Sequence, residues 1–200
     1  LTDPPYGTTN CKWDAVIPFD LMWLELNRVI KDNGAICLFG SEPFSSHLRL
    51  SNPKMFKYDW IWDKVMAGNI GLANKMPLKT HEIVSVFYAK PPRYRPQFHS
   101  NFTPLQGMFT AANSESVNLS SKVKKLSGKR GFPRTIQTFM RPNNRTGGGL
   151  HPTQKPVALL EYLIKTYTLE NETVLDFTMG SGSTGIACIN TNRKFIGIEK

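Results

Sequence analysis

TVLDFTMGSGSTG, residues 173–185, is the stretch that decides the fold. A short apolar run ends in Asp176, a glycine-rich stretch follows, and a helix-compatible run continues to about Ile189. Strand, tight turn and helix in that order open a βα unit. Glycines at Gly180 and Gly182 permit a left-handed backbone and close approach of a ligand. FIGIE (195–199) reads as the next strand, and its Glu199 comes seventeen residues after Gly182. In nucleotide-type sites an acid at that place bonds ribose hydroxyls. The stretch lacks the G-K-[ST] of a P-loop, whereas Gly180, Gly182 and Gly185 do stand at G-x-G-x-x-G spacing. Asp176 at the turn would repel a pyrophosphate and suits a ligand with a cationic or hydroxyl-rich part. Alone, the segment also fits an ordinary glycine-rich βα turn.

Working outward, HPTQKP (151–156) leads into a helix with Val157, Leu160, Leu163, Ile164 and Tyr167 on one face. Lys155 beside a helix start can hold a carboxylate, or can simply be an exposed lysine. LTDPPYG (1–7) lies at the other end of the sequence. Its prolines fix φ and withhold a ladder hydrogen bond, so Asp3 and the Pro4 carbonyl stand out as acceptors beside the Tyr6 ring. That set suits a flat ring bearing an amino group, and it is equally a stiff turn. Phe19, Met22, Trp23, Leu26, Val29 and Ile30 then repeat at helical spacing up to the stop signal Asn33-Gly34. AICLF (35–39) is a short buried strand, which makes a parallel unit with the end of LTDPPYG. Ser45 to Leu50 reads as a short helix, and YDWIW (58–62) and EIVSVFY (82–88) read as strands flanking a loop at 66–77. Leu1 would be the tail of a strand begun earlier, and the last strand lacks its following helix, so residues are expected beyond both ends.

Charge is localised. Residues 90–145 hold eleven of the 25 basic residues and only Glu115 of the 15 acids, so the surplus of +10 falls in that segment. A neutral body with one basic segment points to a polyanion, nucleic acid first, against the alternative of a solvated loop. Periodicity is absent there, and its length marks it as functional or mobile. Cys11, Cys37 and Cys188 are odd in number and far apart, and the four histidines lack ligand spacing. A reduced, cytoplasmic protein without a metal site is expected. No apolar run reaches the roughly 18 residues of a membrane span.

DPPY, HPTQKP and LDFTMGSGSTG together resemble the S-adenosylmethionine-dependent amino-methyltransferases of DNA, which modify adenine N6 or cytosine N4. The motif order is similar to the family's β class. The resemblance covers about 1–90, a catalytic half, and 150–200, a cofactor half, and implies that 91–149 is the target-recognition segment. It departs from the family at Phe177-Thr178, where Pro-Phe is commoner. It implies an α/β, Rossmann-like methyltransferase fold: a mostly parallel sheet with one antiparallel strand, helices on both faces and an irregular basic insertion.

The resemblance also implies roles. Asp3, Pro4, Pro5 and Tyr6 would be catalytic. The cofactor would be held by Thr153, Lys155, Asp176, Phe177, Thr178, Gly180, Gly182, Ser183 and Glu199, with Phe39 lining the pocket. Lys155 and Thr153 would take its carboxylate and Asp176 its amine. Lys122, Lys124, Lys125, Lys129, Arg130, Arg134, Arg141 and Arg145 would grip double-stranded DNA. Trp60 and Trp62 lie where the family's wall beside the target base runs, with core packing as the other reading. Asp at the first position of the motif favours adenine, since cytosine enzymes more often carry Ser there. Cytosine N4, RNA, a catalytically silent DNA-binding relative and a nicotinamide dehydrogenase are the rivals. A cognate restriction endonuclease and the choice between monomer and homodimer stay open.

Overall fold

The computed structural model describes residues 1–9, 11, 14–98, 131–142 and 154–199. Its elements run α1 (Phe19–Val29), β1 (Ile36–Gly40), α2 (Phe44–Ser51), β2 (Phe56–Asp63), β3 (His81–Phe87), β4 (Ile136–Thr138), α3 (Val157–Tyr167), β5 (Thr173–Asp176), α4 (Ser183–Asn190) and β6 (Lys194–Gly197). Every strand and helix expected from the apolar pattern is present, with ends shifted by one or two residues.

One sheet has the order β1-β3-β2-β4, and β5 pairs with β6 beside it. Residues 1 and 2 join the two. The Leu1 nitrogen donates to the Leu175 carbonyl, and Thr2 exchanges backbone bonds with Cys37 and Phe39 in parallel register with Leu38. β3 is antiparallel to both β1 and β2, whereas β2 and β4 are parallel, as are β5 and β6. The sheet is therefore mostly parallel with one reversed strand. The reversal puts the start of β3 at the same sheet end as the ends of β1 and β2: Glu82 pairs with Trp62 and Ile83 with Gly40.

Helices cover both faces, and the two-residue period of β1 shows why. Cys37 and Phe39 join a core with Trp60, Trp62, Val84, Val86 and the inner residues of α3 and α4. Ile36 and Leu38 face the other way, onto Met22, Trp23, Leu26, Phe44 and Leu48 of α1 and α2. A strand buried on both faces needs the unbroken apolar run that AICLF provides.

The stretch expected to be irregular contains one short strand. Ile61 to Asp63 pair with Ile136 to Thr138, so β4 lengthens the main sheet at its edge. By internal packing the chain divides into Leu1–Arg95 with Arg134–Lys200, and a second unit, Pro96–Pro133. In the latter, the rings of Phe98 and Phe132 lie 5.3 Å apart.

Candidate active site

The DPPYG turn is held by a residue the sequence reading passed over. Asp14 Oδ1 accepts the backbone N–H groups of Tyr6 at 2.8 Å and Gly7 at 2.9 Å. Its Oδ2 accepts those of Thr8 at 2.9 Å and Thr9 at 2.7 Å. Burial pushes its carboxyl up, but these bonds outweigh it and hold Asp14 below the ordinary carboxylate range. An acid a few residues after a Pro-Pro-aromatic-Gly turn was the signal available in the sequence.

Above that turn stand Asp3 and Tyr6. The Tyr6 hydroxyl donates to Asp3 Oδ1. Its ring lies 5.1 Å from Phe44, tilted by 30°. Pro4 is buried and Pro5 half-buried, which fixes the backbone between them. Burial and the neighbouring carboxylates push the Tyr6 phenol well above its usual range, so it stays a donor.

Lys155 is not the exposed lysine of the alternative reading. Its ammonium is not presented to solvent at the start of α3. It is buried, 2.7 Å from Asp3 Oδ2 and 3.0 Å from Glu82 Oε2. A buried cation demands counter-charges, and the reversed strand β3 delivers Glu82 to it. Lys64, just past the end of β2, pairs with the other oxygen of Glu82 at 3.1 Å. Burial works against the charge of Lys155, yet Asp3 and Glu82 hold it above the usual lysine range. For Asp3 burial prevails over the pull of Lys155, and its carboxyl is raised. Glu82 also feels burial upward, but Lys155 and Lys64 hold it low. An acid opening the apolar strand EIVSVF was the signal available for Glu82.

The glycine-rich turn lies beside this cluster. Gly180 and Gly182 have φ of +49° and +74°, and a Cβ on either would meet nothing within 4 Å. The turn thus needs glycine for its backbone and leaves an open face, which fits a ligand lying along it. Glu199 reaches the turn, its Oε2 accepting the Gly180 N–H at 2.7 Å. Thr178 donates its hydroxyl to the Asp3 carbonyl at 3.0 Å, and the Phe177 N–H lies 3.3 Å from the Thr2 hydroxyl. The two residues that depart from the family pattern therefore bind the two halves together.

Other expected cofactor residues sit differently. Asp176 is buried, its Oδ2 taken by the Thr184 hydroxyl at 2.6 Å and its Oδ1 3.4 Å from the Thr178 N–H. These bonds tie Asp176 to the turn and to the first turn of α4. Ser183 is buried in the first turn of α4. Phe39 is a core residue, edge-on to Trp62 at 6.5 Å with the Lys155 ammonium 5.2 Å from its ring. Both tryptophans are core as well: Trp60 Nε1 donates to Tyr167 Oη and Trp62 Nε1 to the Phe139 carbonyl. Arg134 and Arg141 flank β4 and are exposed. Thr153, Lys122, Lys124, Lys125, Lys129, Arg130 and Arg145 lie outside the described residues. No group of three or more His, Cys, Asp or Glu residues that could hold a metal occurs among the described residues, and no helix among them is long and apolar enough to cross a membrane.

A family model described as DNA methylase, of the N6/N4 methyltransferases, matches residues 1–200. The chain is 28% identical over 224 residues to the type II methyltransferase M1.MboII of Moraxella bovis, covering all of this chain and 82% of that protein. It is similar to the crystal structure of the M1.HpyAVI–SAM complex, with TM-score 0.60 and 26% identity, covering 100% of this chain and 80% of that one. The cytosine-N4-specific PvuII DNA methyltransferase shares the fold, with TM-score 0.64 at 16% identity over 100% of this chain and 73% of its own. With the Asp-Pro-Pro-Tyr turn tied to an open glycine turn and the match running the whole length, the chain belongs to the N6/N4 DNA methylase family.

Proposed function

We propose that the protein is a site-specific DNA methyltransferase that transfers a methyl group from S-adenosylmethionine to the N6 amino group of an adenine flipped out of the duplex. The observation that carries this reading is the meeting of Asp3, Tyr6 and the Pro4 backbone with the open glycine turn, linked by Thr178. A base must leave the stack before its amino group can reach such a cleft.

Gly180, Gly182 and Glu199 would hold the cofactor, the glycines along its chain and Glu199 at its ribose hydroxyls. The M1.HpyAVI–SAM complex supports the choice of cofactor. S-adenosylmethionine supplies a sulfonium methyl, whose carbon–sulfur bond breaks with its electron pair kept by sulfur as the amine nitrogen forms the new bond. Everything else falls to this chain. The lone pair of an aromatic amine is delocalised into its ring, so the nitrogen is a poor nucleophile. Asp3 and the Pro4 carbonyl accept its two N–H groups, localise the lone pair and stabilise the positive charge that grows on nitrogen. Preorganised acceptors of this kind lower the barrier by about 3 kcal/mol each. Tyr6 offers its ring to the base, and the surplus proton leaves to water after transfer. The aspartate at the head of the motif favours adenine over cytosine.

The test is to methylate DNA with labelled cofactor, digest it to nucleosides and weigh the product. N6-methyladenine is expected. Recovery of N4-methylcytosine alone would overturn the choice of base, and no methylated nucleoside would overturn the activity.

A further inference from the structure

We infer that Glu82 and Lys155 are positioning residues for the Asp3 carboxylate, with Glu82 anchoring the Lys155 ammonium against Asp3 Oδ2 so that Oδ1 is the oxygen that receives the substrate amine. This rests on the methyl-transfer reading above and assigns Lys155 away from the cofactor carboxylate.

The side chains form one line, Lys64–Glu82–Lys155–Asp3–Tyr6, drawn from four separate parts of the chain. Lys64, Glu82 and Lys155 expose only 9%, 17% and 10% of their side chains. Two cations and two carboxylates alternate, so the line is neutral. A neutral, alternating row is the arrangement in which buried charges support one another. Each Asp3 oxygen already has one partner, and the two partners differ. Oδ2 holds a charged ammonium that is itself fixed from behind, whereas Oδ1 holds only the Tyr6 hydroxyl. The Tyr6 hydroxyl is the neutral partner and belongs to the residue that would turn its ring to the base. Exchange at Oδ1 therefore costs least, and a flipped base that engages Tyr6 presents its amine to the oxygen Tyr6 gives up.

Glu82 also limits the hold of Lys155. With Asp3 as its sole partner, the ammonium would drain the carboxylate of acceptor strength. Shared with Glu82, it fixes Oδ2 and leaves Oδ1 basic. Charged and titratable groups facing Asp3 are Lys155 from the start of α3, Glu82 from β3 and Tyr6 from its own turn, with Lys64 behind Glu82. Removing the cation and removing the distal anion must then move the ionisation of Asp3 in opposite directions.

The test uses the full chain and three proteins: wild type, Lys155→Met and Glu82→Gln. Each is measured for S-adenosylmethionine Kd by calorimetry and for the kcat–pH profile on methylatable DNA. Lys155→Met is expected to lower kcat at least tenfold and shift the acid limb to higher pH, with cofactor Kd within about twofold. Glu82→Gln is expected to shift the limb to lower pH. The opposite signs are the decisive readout, because mere loosening of the fold moves both limbs alike or neither. A cofactor Kd raised tenfold or more with an unmoved acid limb would overturn the inference and return Lys155 to the cofactor. Limbs unmoved in both variants would also overturn it. Should Lys155→Met fail to fold, the limb of Glu82→Gln decides alone, a downward shift supporting the inference and an unmoved limb refuting it. Failure of the methyl-transfer reading is separate, since the wild type itself would then label no DNA.

Discussion

Asp14 Oδ1 sits 2.8 Å from the backbone nitrogen of Tyr6, eight residues earlier in the chain. That bond and its three companions make the turn a fixed platform. Asp14→Asn replaces one acceptor oxygen with a donor facing the N–H groups of Thr8 and Thr9. Bonds to a charged carboxylate contribute about 1.5–3 kcal/mol each, and less at exposed residues such as Thr8 and Thr9, where water takes up part of the loss. Urea unfolding of the variant should show a loss of roughly 2–3 kcal/mol at pH 7, and methyl transfer should fall with it. Unchanged stability would mean the turn holds itself.

The same residue sets a pH dependence. Asp14 is held below its ordinary pKa in the folded chain, and an unfolded aspartate titrates near about 3.9. Its contribution is thus fully present above about pH 4 and is lost as pH falls through the lower, folded value. The stability gap between wild type and Asp14→Asn should be constant from pH 7 to 5 and narrow below about pH 4.

Gly182 begins α4 with φ +74° and open space where a Cβ would go. Gly182→Ala should therefore lose about 1–2 kcal/mol from backbone strain alone, and Gly182→Asn should lose less, since asparagine tolerates this region. Thermal melts of the two variants check the order. Equal losses would point to steric contact rather than conformation.

Trp60 and Tyr58 both meet the Tyr167 hydroxyl at 2.7 Å. Tyr167→Phe would strand the buried Trp60 N–H, a loss of about 1–3 kcal/mol. If Trp60 is core, as its burial indicates, kcat of the folded variant should stay within about twofold of wild type. A large drop in kcat would return Trp60 to the wall of the base pocket.

Arg141, exposed after β4, should act as a phosphate contact. Arg141→Ala should weaken DNA binding across sequences and lower the slope of log K against log salt by about one. A changed sequence preference with an unchanged slope would make it a base reader instead.

Much of this was legible in the sequence, for local reasons. AICLF announced a strand buried on both faces because every residue in it is apolar, and it became β1. MGSGSTG announced a left-handed turn, and two of its glycines have positive φ. The partners of charged residues were not legible. Lys155 stands beside prolines in the sequence, and nothing local says that a carboxylate 152 positions away and another from a reversed strand will converge on it. In the sequence Glu82 is only the first residue of the strand EIVSVFY, and antiparallel pairing turns that start toward Asp3. The bond of Asp176 to the Thr184 hydroxyl, eight residues on in the first turn of α4, was equally not legible. β4 was missed because three residues pairing at an edge need no apolar period.

In the proposed reaction Asp3 is an acceptor for the substrate amine and not only a turn residue. Asp3→Ala, mixed with DNA and saturating labelled S-adenosylmethionine, tests it most directly, with cofactor binding measured in parallel. Loss of one such acceptor should slow methyl transfer by about 100-fold or more while cofactor Kd stays within about threefold of wild type. Transfer at the wild-type rate would leave Asp3 a turn residue only.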